Sequence, residues 1–145
     1  MNELIFIRYI HFISFMVVFA MVFAESRLVH ENMTRADLRR VFKIDGIYGL
    51  FALIVLGAGL YLWFGTGKPA DYYSNNPIFW IKVILFLIVG ILSIWPTMFF
   101  YKQGKGHSDE PVIVPRRIRF IIRVELTLLV IIPLLATLMA QGVGL

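Results

Sequence analysis

The stretch IFWIKVILFLIVGILSIWPTMFFY, Ile78–Tyr101, carries one charged residue, Lys82, in an otherwise apolar run. About 20 predominantly apolar residues suffice for a helix to cross the hydrocarbon core of a bilayer, so this run reads as a membrane span. Three further runs of similar length lie around it, at Leu4–Ala24, Ile44–Phe64 and Ile118–Ala140. Several of the four hold ionisable residues inside the apolar sequence: Arg8 and His11 in the first, Lys82 in the third, Arg123 and Glu125 in the fourth. Such groups are costly at membrane depth and mark a function or a specific partner.

Composition agrees with this reading. Hydrophobic residues make up 59% of the 145-residue chain and charged residues 16%, with a mean hydropathy of +0.80. Soluble domains average roughly 45–50% apolar and about 25% charged residues. Four spans with short connections leave no length for a second folding unit, so residues 1–145 read as a single domain. The absence of cysteine excludes disulfides and iron–sulfur ligation by the chain's own thiolates. A net charge of +5 does not point to nucleic acid, because the basic residues flank the spans as membrane topology requires. The first run is longer than a signal-peptide core and is interrupted by Arg8 and His11, so it is expected to remain as an uncleaved helix.

The basic residues are distributed unevenly. Arg27, Arg35, Arg39, Arg40 and Lys43 lie around the first connection, and Lys102, Lys105, Arg116, Arg117 and Arg119 around the third. The second connection has only Lys68. The positive-inside rule then puts connections one and three in the cytoplasm and both termini on the outer, periplasmic side. The expected fold is an all-α, up-down-up-down four-helix bundle, multi-pass in a bacterial inner membrane. Its expected partners are the lipid bilayer and either further copies of the chain or a larger membrane complex.

Local signals locate the helix ends. Thr34-Arg35-Ala36-Asp37 is a capping-box pattern that opens a polar helix running into the second span. Asn75-Asn76-Pro77 supplies a cap and a first-turn proline for the third. Gly65-Thr66-Gly67-Lys68-Pro69 ends the second. Residues 103–115 read as a flexible loop. Gly46, Gly49, Ala52, Gly57, Gly59, Gly90 and Ser93 are expected to let helix backbones approach closely, and Pro96 and Pro133 to kink helices three and four. Trp63, Tyr72, Tyr73 and Trp80 are expected at the outer interface.

Two polar clusters follow from position. Arg8, His11 and Ser14 share a helical face, and at 1.5 Å per residue His11 and Lys82 fall in the same, outer leaflet. Imidazole is a common haem ligand, a desolvated lysine is a ligand or base, and Arg8 is placed for a carboxylate such as a haem propionate. Opposed to this is a plain reading in which Lys82 and Arg8 snorkel and His11 bonds a neighbouring helix. In the inner leaflet lie Glu25, Asp45, Arg123 and Glu125. Two positions apart, Arg123 and Glu125 point in different directions, and the deeper Glu125 needs a buried cation or its own proton. An ion-paired network that fixes helix order and a proton path are the two readings of this cluster.

The segments RYIHF (8–12), IDGIYGL (44–50), YYSNNPIFWIK (72–82) and SIWPT (93–97) resemble an uncharacterised family of small bacterial four-helix membrane proteins. More distantly, the order of His11 in helix one, Trp80-Ile81-Lys82 opening helix three and Arg123-Val124-Glu125 in helix four is similar to the HemJ-type protoporphyrinogen IX oxidases and to CopD-like membrane proteins. The HemJ resemblance implies haem b held by His11 and Lys82 as metal ligands, with Glu125 at an acidic fourth-helix position. The function expected from both lines together is a haem-dependent redox role in which Arg8 holds a propionate and Glu125 or Asp45 handles protons. The alternative is a cofactor-free structural or accessory subunit of a larger membrane complex.

Overall fold

The structure is a computed structural model that describes residues 2–64 and 75–142. Four stretches are long and apolar enough to cross a membrane: Glu3–Leu28, Arg35–Phe64, Pro77–Gln103 and Arg116–Ala140. They correspond to α1 (Asn2–Leu28), α2 (Arg35–Phe64), the pair α3 (Pro77–Leu92) and α4 (Ile94–Gln103), and α5 (Arg116–Ala140). The protein is a multi-pass membrane protein.

The cap signals are realised. In the Thr34 box, the Asp37 N–H donates to the Thr34 hydroxyl oxygen at 3.2 Å. The Thr34 N–H donates to the Asp37 carboxylate, also at 3.2 Å. Asn76 caps α3 by accepting from the Ile78 N–H at 2.9 Å, with Pro77 at the first helical position. The third span breaks at Ser93, because Pro96 lacks the N–H that would bond the Leu92 carbonyl; the Ser93 hydroxyl bonds back to the Gly90 carbonyl at 2.6 Å. Helix α5 continues through Pro133. Tyr72, Tyr73 and the Gly65–Pro69 helix end lie outside the described residues. Trp63 stacks on Phe64 and meets Phe79 and Trp80 edge-on, with ring centroids 4.9 and 5.4 Å away.

Packing buries a narrow interior. Val18 and Val22 of α1, Leu38 and Val41 of α2, Val89, Phe100, and Ile122 and Leu129 of α5 form its centre. Large apolar side chains such as Phe6, Phe12, Leu53, Phe64, Phe120 and Leu134 face outward. Soluble monomers rarely expose contiguous apolar patches of more than a few hundred Å²; in a bilayer this surface is solvated by lipid chains.

Residues 103–115, expected as a flexible loop, are tied down. β2 (Pro111–Ile113) pairs antiparallel with β1 (Asn32–Thr34), Met33 opposite Val112. Connections one and three therefore meet in a two-stranded ribbon at one end of the bundle. The N–H groups of Arg35 and Ala36, which have no partner within a first helical turn, donate to the carbonyls of Glu110 and Ser108. Arg35 reaches Glu110 at 2.9 Å and the Gln103 carbonyl at 2.6 Å. Arg39 reaches the Gly104 carbonyl and the Ser108 hydroxyl, both at 2.6 Å. The arginines that topology places in this connection also serve as its internal ties.

Gly106 adopts φ +123°, and a Cβ there would lie 2.8 Å from Cδ of Arg35. Gly106→Ala is expected to cost about 1–3 kcal/mol through backbone strain alone, read as a lowered midpoint of thermal unfolding in detergent. The Arg35 guanidinium beside Glu110, with the His107 N–H, holds the Glu110 carboxyl below its ordinary range. A carboxyl depressed in the folded state stabilises above its unfolded pKa and loses that contribution as pH falls through the folded value. The ribbon should therefore loosen on acidification, seen as faster amide exchange at Val112 and Val114.

The small residues act differently from the expectation. An added Cβ at Gly46, Gly49, Gly57 or Gly90 meets nothing within 4 Å. Gly59 alone among the glycines of α2 presses on another helix, where a Cβ would stand 3.3 Å from Cε1 of His11. Helices α2 and α3 scarcely touch along their length, and Gly49, Ala52 and Gly90 hollow out a groove of about 310 Å³ between them.

Candidate functional site

Glu25 of α1, Asp45 of α2 and Glu125 of α5 converge in the interior. Glu25 and Glu125 are 0% exposed and Asp45 4%. The Tyr48 hydroxyl donates to Glu125 at 3.1 Å, and the Thr97 hydroxyl of α4 donates to Asp45 at 2.5 Å. All four spans therefore contribute an oxygen-bearing side chain. The Glu25 carboxyl is aimed at those of Asp45 and Glu125. Both of its oxygens, Oδ1 of Asp45 and Oε2 of Glu125 are buried without a conventional hydrogen bond among the described residues.

The expected ion-paired network is not found among the described residues. Arg123 is exposed on α5, and Glu125, two positions on, turns inward because neighbours at i and i+2 face apart. The partners of the acids are hydroxyls, and the described ion pairs, Arg35–Glu110 and Arg40–Asp37, are at the ribbon end.

His11 lies 14 positions before Glu25, roughly 21 Å along α1 at 1.5 Å per residue, so it belongs to a separate site. Its Nδ1 is 3.1 Å from the Val55 carbonyl. A carbonyl only accepts, so Nδ1 carries the proton and the lone pair of the neutral ring is on Nε2. Lys82 is half-buried, within electrostatic reach of His11, and its Nζ lies 5.7 Å from the Phe79 ring centroid. No carboxylate pairs with it among the described residues. Ser14 is buried, whereas Arg8 is exposed on α1. His30 and His107 are exposed near the ribbon. No group of three or more His, Asp or Glu side chains with metal-holding geometry occurs among the described residues.

Sequence reasoning singled out Glu25, Asp45, Glu125, His11 and Lys82 and missed Tyr48, Thr97 and Gly59. Tyr48 was within reach, since it follows Asp45 by three positions and shares its face. The Thr97 and Gly59 contacts depend on the register between helices, which a single sequence does not carry.

Four long apolar helices carrying two polar groups of residues define a polytopic membrane protein. The chain matches the family described as "Predicted membrane protein (DUF2214)" over residues 4–144, and it belongs to that family. Neither a curated protein nor a solved structure shows significant similarity to it.

Proposed function

We propose that this protein is a haem b-binding, redox-active protein of the bacterial inner membrane, similar in plan to the HemJ-type oxidases. The observation that carries this reading is the His11 ring, fixed by Nδ1 on the Val55 carbonyl with the Lys82 amine nearby. A metal-binding histidine commonly donates its other ring N–H to a backbone carbonyl, which sets the tautomer and leaves the second nitrogen for the metal. His11 and Lys82 fit the group as two nitrogen donors on different helices, each lacking an anionic partner among the described residues. When bound, haem supplies one-electron exchange, and the protein supplies ligation, orientation and dielectric. Arg8, one turn from His11, would hold a propionate. Glu125 and Asp45 are the acid–base groups of this reading.

In this reading the spans run up-down-up-down in one domain. The ribbon end, which gathers the arginines of connections one and three, faces the cytoplasm, and both termini face outward. The chain has no cysteine, so single replacements report orientation cleanly. In spheroplasts, Asn75→Cys should react with a membrane-impermeant maleimide, and Asp109→Cys only after permeabilisation. The reverse pattern would invert the topology. The haem reading is tested by a pyridine haemochrome assay on protein purified in detergent from haem-sufficient cells. Stoichiometric haem b supports it, and its absence refutes it.

A further inference from the structure

The acid cluster presents a charge-balance problem that the haem site does not address. Glu25, Asp45 and Glu125 come from three spans and lie within electrostatic range of one another. The titratable groups facing them are each other and Tyr48, while the third span contributes the hydroxyls of Thr97 and of Ser93 at its break. Neither described ion pair, Arg35–Glu110 or Arg40–Asp37, involves these three acids.

An isolated ionised carboxylate in a medium of low dielectric costs tens of kcal/mol in the ideal limit, and real sites neutralise instead. Three such groups without a cation need an external positive charge. The hydrogen bonds from Tyr48 and Thr97 satisfy one oxygen each of Glu125 and Asp45. A second, independent observation is Glu25. It is wholly buried with its carboxyl within hydrogen-bonding reach of that of Asp45, and no hydroxyl, amide or cationic donor reaches either of its oxygens among the described residues. That is the configuration of a carboxyl that awaits a proton.

There is also a way in. The groove between α2 and α3 opens sideways on the bundle surface, and Tyr48 and Ser93 are its polar lining among Gly49, Ala52, Phe86 and Gly90. Tyr48, which touches Glu125, thus borders both the cluster and the lipid-facing groove.

We propose that Glu25, Asp45 and Glu125 form a proton-binding site, exchanging protons through Tyr48 with water admitted to the groove between α2 and α3. The ligand is the proton itself, shared among three carboxyls. The site stands apart from haem binding and survives failure of that reading.

The test uses a hydrophobic carbodiimide on the full-length protein in detergent at neutral pH. Its central carbon bonds to the oxygen of a protonated carboxyl, the carboxyl proton moves to nitrogen, and the adduct rearranges to a stable N-acylurea. Peptide mass spectrometry should find the adduct on Glu25 or Glu125, with labelling that falls as pH rises. Sodium or magnesium that suppresses labelling at constant pH would show a metal-cation site and overturn the proposal. Failure to label any of the three acids, in protein that reacts once unfolded, would also overturn it. Glu25→Gln, isosteric with the protonated form, should retain the fold and lose the infrared carbonyl intensity of one protonated carboxyl; unchanged intensity counts against the site. Gly49→Leu fills the groove where an added Cβ meets nothing, and should slow Glu125 labelling several-fold. An unchanged rate would exclude the groove as the route.

Discussion

Replacement of His11 by alanine is expected to strip haem b from the purified protein, while His30→Ala leaves it bound. The contrast rests on position. His11 is half-buried between α1 and α2 with Nδ1 on the Val55 carbonyl, whereas His30 is exposed and bonds the Leu28 carbonyl close to its own helix end. Losing an outer-shell partner of a metal site costs about 10–100-fold in affinity, so losing the ligand itself should exceed that range. The haem-to-protein ratio after size-exclusion chromatography measures the effect. His11→Ala protein that remains folded and fully loaded would remove His11 from the account.

The second large effect is expected at Gly59. A Cβ there would stand 3.3 Å from Cε1 and 3.7 Å from Nδ1 of His11. Alanine is accommodated by a shift of a few tenths of an ångström. The branched side chain of Gly59→Val pushes the ring off the Val55 carbonyl and releases its tautomer and orientation. Haem affinity should fall about 10–100-fold, the scale of a lost outer-shell interaction. Gly57→Val provides the control, because Gly57 is exposed and an added Cβ meets nothing within 4 Å. Measured by haem transfer to apomyoglobin, Gly59→Val should release haem much faster than Gly57→Val. Equal rates would mean that the His11–Gly59 contact has no part in binding.

How far the sequence could be read depended on the range of each interaction. The capping box at Thr34–Asp37 and the Asn76–Pro77 start are contained in a few consecutive residues, and both were legible. The spans were equally plain, since length and hydropathy decide them. The ribbon was not legible: β1 and β2 are three residues each, and the arginines that hold the loop bond mostly to backbone carbonyls, which any sequence offers. Glycine was misread for a related reason. Gly49 and Gly90 look like contact residues in a list of small side chains, yet α2 and α3 diverge and these positions form a groove. Arg123 and Glu125 could be told apart only as facing different ways, and packing decided that the glutamate turns inward.

The central claim, that His11 and Lys82 together hold a haem iron, is tested most directly by electron paramagnetic resonance of the oxidised protein beside its Lys82→Ala variant. Two strong nitrogen ligands give a low-spin ferric signal in the wild type. Removing the lysine should leave haem bound through His11 and convert the signal to high spin. A low-spin signal unchanged in Lys82→Ala, or haem-free wild-type protein, would contradict the account.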